Sequence, residues 1–314
     1  MDYRIYPLKD QSRLEELCTL FAKGLADTTP EYWKWKHFSE NGQPEGLILV
    51  AEAEDGAFAG MFALQPERYE WNGSQILMVQ TEDLVIDPNH RGTGLMRRLY
   101  SYAMEYYAAM GAVGFVSFCN ENSYPIFLKY GSVDRGYIYT QNSKKSNLPI
   151  YASKKRVKTG NWTLEVSDSM PADLFFPVHR DGFGMVKDNT FMKWKFADNP
   201  EGPFWWLTIR ENSELKGYLV AYITQGRFRR AVNIYDWALK DEVSTEILKK
   251  AINLLRTYGN WVSLWGRYDE EVQNRWAQAG LADRSEQGTH FVLHQLGAEA
   301  LPNHWHLTRA DLDY

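Results

Sequence analysis

Two kinds of hydrophobic periodicity run along the chain, and together they predict a mixed α/β protein. Short runs rich in β-branched residues, such as 47–52 and 113–118, are typical of strands. From Leu95 to Met110 the apolar residues recur at the helical period instead. Glu54-Asp55-Gly56 and Trp71-Asn72-Gly73 predict hairpin turns. We therefore expect antiparallel hairpins first and a parallel strand–helix–strand crossover later, in a mixed sheet flanked by helices.

The same order of predicted elements occurs twice. Lys34-Trp35-Lys36 and Lys193-Trp194-Lys195 each precede a Pro-Glu-Gly triplet, two strands, a helix and a further strand. Asp83 begins the key strand of the first copy, and Asp236 corresponds to it in the second. We predict two tandem domains at residues 1–140 and 161–314. The polar, lysine-rich stretch 141–160 is interpreted as a solvated linker or hairpin, with a phosphate-binding patch as the alternative.

A glycine loop distinguishes the two copies. Arg91-Gly92-Thr93-Gly94 stands between a predicted strand, which ends in Leu84-Val85-Ile86, and a helix that begins at Leu95. Glycines let main-chain N–H groups approach a phosphate closely, and the helix dipole favours negative charge at that end. The second copy has Asp241-Glu242-Val243-Ser244 in this place, and its acidic residues would repel a phosphate. We expect one anion site, in the first copy.

The first copy resembles the GNAT (GCN5-related N-acetyltransferase) superfamily, and the duplication resembles its tandem members. The resemblance rests on the strand 82–88, the loop 91–96, Asn120 and the segment 127–131. It covers residues 1–140 well and the second half only through the repeat. It implies acetyl-CoA as a co-substrate rather than a metal cofactor. The residues that it assigns to the coenzyme are Leu84, Val85, Ile86, Arg91, Gly92, Thr93, Gly94, Leu95, Asn120 and Phe127.

In the resembling family a strand bulge frees main-chain groups for the pantetheine arm, and one N–H polarises the thioester carbonyl. Two positions depart from the family pattern: Met96 replaces a small residue, and Phe127 replaces the tyrosine assigned to protonate the leaving thiolate. Tyr124 and Tyr130 are the candidate replacement acids, and Tyr124, one helical turn before Phe127, is preferred. Asn120 either contacts pantetheine or caps the helix that follows.

Glu82 is the candidate general base, because an amine nucleophile must lose a proton. Glu82 and Asp83 are adjacent, so a regular strand would direct them to opposite faces. Only one of them would then face the acceptor. Asp83 recurs as Asp236 in the copy that lacks the glycine loop, which favours a structural role for Asp83 and leaves Glu82 as the preferred base.

Composition narrows the partners. A formal charge of −5 argues against a nucleic-acid binder, and only two cysteines occur, so no disulfide framework is implied. No apolar run is long enough to span a bilayer and no histidine or cysteine spacing favours a metal. We expect a cytoplasmic monomer or homodimer that acylates a small amine, with sugar-linked acceptors preferred and the acceptor between the copies. A non-catalytic acyl-CoA sensor is the alternative, and an aminoacyl-tRNA-dependent transferase is a third possibility.

Overall fold

A computed structural model describes residues 2–145, 153–176, 183–225, 230–297, 301 and 305–311, without the side chains of 286–288. Two compact units emerge from the packing. The first consists of Met1–Glu70, Ser74–Arg135 and Phe291–Leu301. The second consists of Trp71–Gly73, Gly136–His290 and Pro302–Tyr314. The mixed α/β class predicted from the sequence is confirmed in the sheet topology of both units.

The first unit is a mixed sheet with helices on both faces, as its alternating strand pattern requires. Its strands are β1 (Arg4–Pro7), β2 (Leu47–Glu52), β3 (Phe58–Trp71), β4 (Ser74–Ile86) and β5 (Gly114–Cys119), and its helices are α1 (Leu14–Gly24), α2 (Pro30–Phe38), α3 (Leu95–Ala109) and α4 (Tyr124–Lys129). β1 to β4 follow one another in order, and β5 lies parallel to β4. Asn72 and Gly73 both have positive φ, 49° and 71°, as the predicted hairpin turn requires.

Two apolar clusters hold this sheet. On one face Leu95, Leu99 and Ala103 of α3 pack against Leu49, Val79 and their neighbours. On the other face Leu17 and Phe21 of α1, with Trp33 of α2, pack against Val50, Met61 and Val85. The predicted helical face is therefore buried at Leu95, Leu99 and Ala103. Tyr106 and Met110, which the predicted face also included, are exposed, and Tyr107 is buried instead.

The second unit repeats this plan. Its strands are β6 (Val133–Asn142, from Gly136), β7 (Arg156–Thr159), β8 (Trp162–Ser167), β9 (Gly184–Met185), β10 (Phe204–Glu211), β11 (Glu214–Gln225), β12 (Arg230–Leu239), β13 (Trp261–Arg267), β14 (Asp283–Gln295, to His290) and β15 (Leu307–Thr308). Its helices are α5 (Asn189–Met192), followed by a π-helical turn at Lys193–Ala197, α6 (Thr245–Leu255) and α7 (Glu270–Gln278). The strand order is β14-β6-β13-β12-β11-β10-β8-β7. Within the stretch 141–160, residues 156–159 form the hairpin strand β7. Residues 146–152 of the same stretch lie outside the described residues.

The two units share register as well as order. The parallel ladder in the first runs over four pairs, from Met78↔Gly114 to Thr81↔Ser117. The ladder in the second also runs over four pairs, from Ala231↔Trp261 to Ile234↔Leu264. In the numbering of the sequence, Asp83 lies two residues beyond the first ladder and Asp236 two beyond the second. The correspondence that the sequence suggested between these two aspartates therefore holds at the level of single residues.

Each unit contains strand residues that belong, by sequence, to the other copy. The end of β14, from Phe291, belongs to the first unit, where Leu296 N donates to Val113 O at 2.9 Å. β6 pairs with β13 in the second unit, from Tyr139↔Gly266 to Asn142↔Ser263. The compact units therefore differ from the predicted ranges 1–140 and 161–314. The repeat in the sequence indicates where each strand lies along the chain. It does not indicate which of the two units the strand joins.

Candidate functional site

β4 and β5 separate at the centre of the first unit. Their ladder ends at Thr81↔Ser117, where the two side-chain hydroxyls are hydrogen-bonded at 2.6 Å. β4 nevertheless continues for five residues, to Ile86. Among the described strands β5 pairs with β4 and β14 alone. The main chain of β4 from Glu82 to Ile86 is therefore not paired with β5, which leaves a wedge between the two strands.

The side-chain alternation of β4 slips by one residue at this point. Val79 packs on the α3 side of the sheet, whereas Val85, six residues later, packs on the α1 side. In a regular strand both would face the same side. Leu84 and Ile86 have moved to the α3 side instead. A slip of this kind is what a β-bulge produces, and a register shift lies opposite Asp236 in the second unit as well, between Val220 and Ala221.

The slip brings Glu82 and Asp83 to the same partner. Lys36 Nζ on α2 lies 3.5 Å from Glu82 Oε2 and 3.0 Å from Asp83 Oδ2. The prediction that the two carboxylates point to opposite faces is therefore wrong. It assumed regular alternation, and the slip turns both side chains toward α2. Side-chain exposure is 7% for Glu82 and 19% for Asp83, so Asp83 is the more accessible of the two.

His37 completes this buried cluster, and the sequence reasoning missed both His37 and Lys36. His37 Nε2 lies 3.4 Å from Glu82 Oε2, and its ring stacks on Trp33 with centroids 5.4 Å apart. Burial, and secondarily the Lys36 ammonium, hold the pKa of His37 well below its usual value near 6.5. Its ring is therefore neutral at pH 7. The signal in the sequence was the buried face of α2, which begins at Pro30 behind the Thr29 cap.

The glycine loop leads into the N-terminus of α3. Gly92 and Gly94 have φ of 76° and 77°, a region that other residues rarely adopt, and Gly94 is the residue before the first turn. Arg91, Gly92, Thr93 and Gly94 are exposed, and Leu95 is buried beneath them. The N–H groups of a helix's first turn have no partner within the helix, and the dipole of this 15-residue helix adds positive potential there.

Side chains hold the loop in this shape. Arg91 Nε donates to Ile86 O at 3.3 Å, and Thr93 Oγ1 donates to His90 O at 2.7 Å. Tyr3, the residue before β1, supports the loop, because its hydroxyl lies 3.0 Å from His90 Nδ1. Asp87, whose pKa is lowered by a hydrogen bond from Lys23, accepts from Asn89 N at 2.9 Å. The loop therefore presents exposed glycines and Arg91 on a supported backbone.

The other predicted coenzyme residues border the wedge. Leu84 and Ile86 are half-buried against the α3 cluster, and Val85 is buried. Asn120 follows β5, and its Oδ1 accepts from the N–H groups of Asn122 and Ser123, both at 3.0 Å. Of the two roles considered for Asn120, helix capping is present in the structure. The cap uses the amide oxygen and leaves the NH2 group as a donor.

The region of the missing acid contains several aromatic side chains. Phe127 is buried, with its ring centroid 5.9 Å from that of Tyr100. The Tyr124 hydroxyl donates to Asp134 Oδ2 at 2.8 Å. Burial raises the pKa of Tyr100 to about 12 and that of Cys119 to about 12. Cys119 is therefore a neutral thiol at physiological pH and a poor nucleophile.

The matching wedge of the second unit is filled by its own chain. Beyond the end of the β12–β13 ladder, β15 pairs with β13 at Gly266↔Thr308. The ring of Trp237 packs against His306, with centroids 5.2 Å apart. Lys187 Nζ bridges Asp236 and Asp311, at 2.8 Å from each. Burial opposes the charge on Lys187, but these two carboxylates raise its pKa above the usual value.

Comparisons with known proteins agree with this geometry. Residues 14–131 match the Acetyltransferase (GNAT) family. The matched segment is therefore a GNAT domain, and it lies almost wholly in the first unit. No curated protein matches the sequence significantly.

Among the described residues no group of three or more side chains could hold a metal ion, and no helix is long and apolar enough to cross a membrane.

Solved structures share the fold over nearly the whole chain. A conserved protein of Enterococcus faecalis V583, described as a probable N-acyltransferase, aligns with TM-score 0.70 and 12% identity, over 94% of this chain and 73% of that one. A tandem GNAT protein from the clavulanic acid biosynthesis pathway aligns with TM-score 0.59 and 12% identity, over 95% and 100%. Saccharomyces cerevisiae N-myristoyltransferase aligns with TM-score 0.62 and 10% identity, over 98% and 83%. The chain is thus similar to tandem GNAT acyltransferases in fold.

Proposed function

We propose that this GNAT acyltransferase moves an acetyl group from acetyl-CoA to the primary amine of a small, possibly sugar-linked, acceptor. The observation that carries the proposal is the wedge beyond Thr81↔Ser117, which adjoins the glycine loop at the start of α3. A coenzyme lying in the wedge would place its pyrophosphate on Arg91 and the amides of Gly92 to Leu95. Its pantetheine arm would pair with the main chain of Leu84, Val85 and Ile86.

The chemistry that we propose is direct transfer. The amine lone pair forms a C–N bond to the thioester carbonyl carbon, and a main-chain N–H of β4 stabilises the developing oxyanion. Collapse of the tetrahedral intermediate breaks the C–S bond and releases the CoA thiolate, which takes a proton. The nitrogen loses its proton to Glu82, directly or through water. Asn120, through its free NH2 group, and Phe127 would flank the pantetheine.

Assigning the base to Glu82 rests on its place at the bulge, 3.5 Å from Lys36 and 3.4 Å from His37. We expect E82Q to lower kcat by about 100-fold or more while the affinity for CoA is retained. An unchanged kcat with lowered stability would assign Glu82 to the ion cluster alone. Asp83, more exposed and bonded to the same lysine, is then the remaining carboxylate at this place.

The general acid is proposed to be Tyr124 or water. The Tyr124 hydroxyl already donates to Asp134, which orients it. A thiolate with a moderate pKa can also leave without help from the protein. Loss of the Tyr124 hydroxyl in Y124F should lower kcat about tenfold if it is the acid, and leave kcat unchanged if water serves.

The test is release of free thiol from acetyl-CoA with a panel of amines, including amino sugars. Myristoyl-CoA should be included, because the N-myristoyltransferase that shares this fold has been seen with bound myristoyl-CoA. We expect R91E to lose CoA affinity, whereas R256E, an exposed arginine of the second unit, should keep it. Retained affinity in R91E would refute the site.

Buried Phe127 favours a second candidate, a non-catalytic acyl-CoA sensor, since a phenyl ring cannot protonate a thiolate. The two candidates differ in turnover rather than in binding. Tight binding of acetyl-CoA without thiol release for any amine would support the sensor. In that case F127Y, which restores a hydroxyl at this position, is the variant in which thiol release should appear.

A further inference from the structure

A pocket in the second unit combines cations with aromatic rings. Its volume is about 620 Å3, within the range of sites for small organic ligands. It lies where β12 begins, at Arg230, whereas the filled wedge adjoins the other end of that strand, from Asp236. The described residues that line it are Ser153, Lys155, Pro203, Trp205, Tyr222, Ile223, Gln225, Arg230 and Tyr258.

The charged side chains of this lining are both cations. Lys155 and Arg230 are exposed, and no carboxylate is among the lining residues described. Some exposed cations of the unit have carboxylate partners, for example Arg156 with Glu165 at 2.7 Å. Within the described part of the chain, the head groups of Lys155 and Arg230 have none. A chain with a net charge of −5 therefore presents a locally positive pocket here, and a guanidinium fork suits a phosphate or carboxylate.

One wall of the pocket is aromatic. Trp205 on β10 is half-buried, and behind it lies the buried ring of Tyr258, with centroids 5.9 Å apart at 46°. Ile223 packs on the same side of the sheet. A half-exposed indole backed by a second ring is a rigid surface for stacking a flat ring, and aromatic pairs gain stability beyond their buried area.

The main chain that carries the two cations is held in place by one turn after α6. Arg230 N donates to Asn260 Oδ1 at 2.9 Å, and Asn260 N donates back to Arg230 O at 2.7 Å. Lys154, next to Lys155, donates from its main-chain N to Thr257 Oγ1 at 3.0 Å and accepts from the Tyr258 hydroxyl at 2.9 Å. The backbones of both cations are therefore positioned before any ligand arrives, which lowers the entropic cost of binding.

We propose that this pocket binds a small organic anion that carries a flat ring, such as an aryl phosphate. Arg230 and Lys155 bind the anionic group, and the ring lies against Trp205. The lysine-rich stretch that the sequence suggested as solvated thus contributes Lys155 to a site, whereas Arg156 of the same stretch is paired with Glu165. All the described lining residues belong to the second unit, whereas the glycine loop belongs to the first.

The probe is phenyl phosphate, titrated calorimetrically into the full-length chain. Methyl phosphate supplies the charge without the ring, and benzyl alcohol supplies the ring without the charge. We expect phenyl phosphate to bind at least about tenfold more tightly than either, because the charged and stacking contacts act together. R230Q and K155Q should each weaken it about tenfold. W205L should reduce its affinity to that of methyl phosphate.

The matched controls are K158Q and R256Q, which remove exposed cations from the neighbouring strand β7 and from the end of α6. They should bind phenyl phosphate as the unmodified chain does. Equal affinity for phenyl phosphate and methyl phosphate would overturn the role of the ring. Affinity that survives in R230Q and K155Q but is lost in R91E would place the ligand on the glycine loop, and would overturn the proposal.

Discussion

At the scale of single residues, the buried cluster on α2 is the feature with the largest energetic consequence. Lys36 is 5% exposed at its side chain and contacts two carboxylates, so its charge is balanced by protein groups rather than by water. Removing one member of a buried ion pair leaves the others desolvated without compensation. In the second unit a buried lysine is likewise paired with two carboxylates, since Lys187 lies between Asp236 and Asp311.

We expect K36M to lower the free energy of unfolding by about 3 kcal/mol or more, because Glu82 and Asp83 would lose their shared cation. K34M, two residues earlier on the exposed face of the same helix, should change it by less than about 0.5 kcal/mol. Denaturant unfolding of both variants measures the difference. Equal stabilities would mean that Lys36 contributes no net stabilisation.

His37 should make stability depend on pH. Its folded-state pKa is held well below 6.5 by burial and by Lys36, while the Glu82 carboxylate faces it from β4. The unfolded chain therefore takes up a proton at this residue first, and stability is lost as pH falls below about 6.5. At pH 5 the loss from this residue is at most about 2 kcal/mol, the limit set by an unfolded-state pKa near 6.5.

The variant H37Q isolates this contribution, since it cannot titrate. We expect the fall in unfolding free energy between pH 7 and pH 5 to be smaller in H37Q, by at most about 2 kcal/mol. Other groups that titrate in this range affect both proteins equally. Parallel pH curves for the two proteins would show that His37 is not held neutral.

At the scale of elements, the start of β3 lies very close to the end of β4 in the first unit, and the start of β11 lies equally close to the end of β12 in the second. A Cβ added at Gly60 would meet Ile86 Cδ1 at 2.8 Å, and one at Gly217 would meet Leu239 Cδ2 at 2.8 Å. Asp87 N donates to Ala59 O at 2.9 Å, and Lys240 N donates to Lys216 O at 2.8 Å. The duplication thus offers a matched pair of sites, of which one adjoins the glycine loop.

We expect G60V and G217V to destabilise the chain similarly, by about 1–3 kcal/mol each, because both overpack the same contact. Only G60V displaces Ile86, which receives the Arg91 hydrogen bond. G60V should therefore weaken CoA binding, and G217V should not. Thermal unfolding and CoA titration measure the two effects. Equal CoA affinities of the two variants would show that displacing Ile86 does not disturb the glycine loop.

The sequence predicted the elements well where local pattern decides them. Leu47–Glu52 matches its predicted strand to the residue, and Leu95–Ala109 and the hairpin at Asn72-Gly73 agree closely. The repeat identified Asp83 and Asp236 as equivalent. The slip in β4 was implied by the family resemblance alone, because the local pattern does not reveal how the strand packs against α1, far away in sequence, and against α3 on the other face. The partners of Glu82 were missed for the same reason.

At the scale of the whole molecule, the two units have the same fold and unequal sites. The loop of the second has Asp241 and Glu242 where the first has Arg91 and glycines. Its wedge is occupied by β15 and His306. The sequence predicted the loss of the anion site from charge. It did not indicate that residues 305–308 would fill the space, since that segment lies beyond the motifs that the two copies share.

We therefore expect one CoA molecule to bind per chain. Calorimetric titration with CoA should give a stoichiometry near one, and R91E should remove all binding rather than half of it. The physical reason is that an acidic loop and an occupied wedge both oppose a coenzyme in the second unit. A stoichiometry near two, or half of the binding surviving in R91E, would contradict this expectation.

The exchange of end strands bears on how the protein can be made. The first unit uses Phe291–Leu301, so one side of β5 stays unpaired until Gly136–His290 of the second unit has left the ribosome. Domains usually fold in order from the N-terminus during synthesis. Here β5 must wait with one side unpaired, and an unpaired edge can join another chain. Nascent chains on neighbouring ribosomes can therefore exchange these strands, so that β5 of one chain pairs with β14 of another.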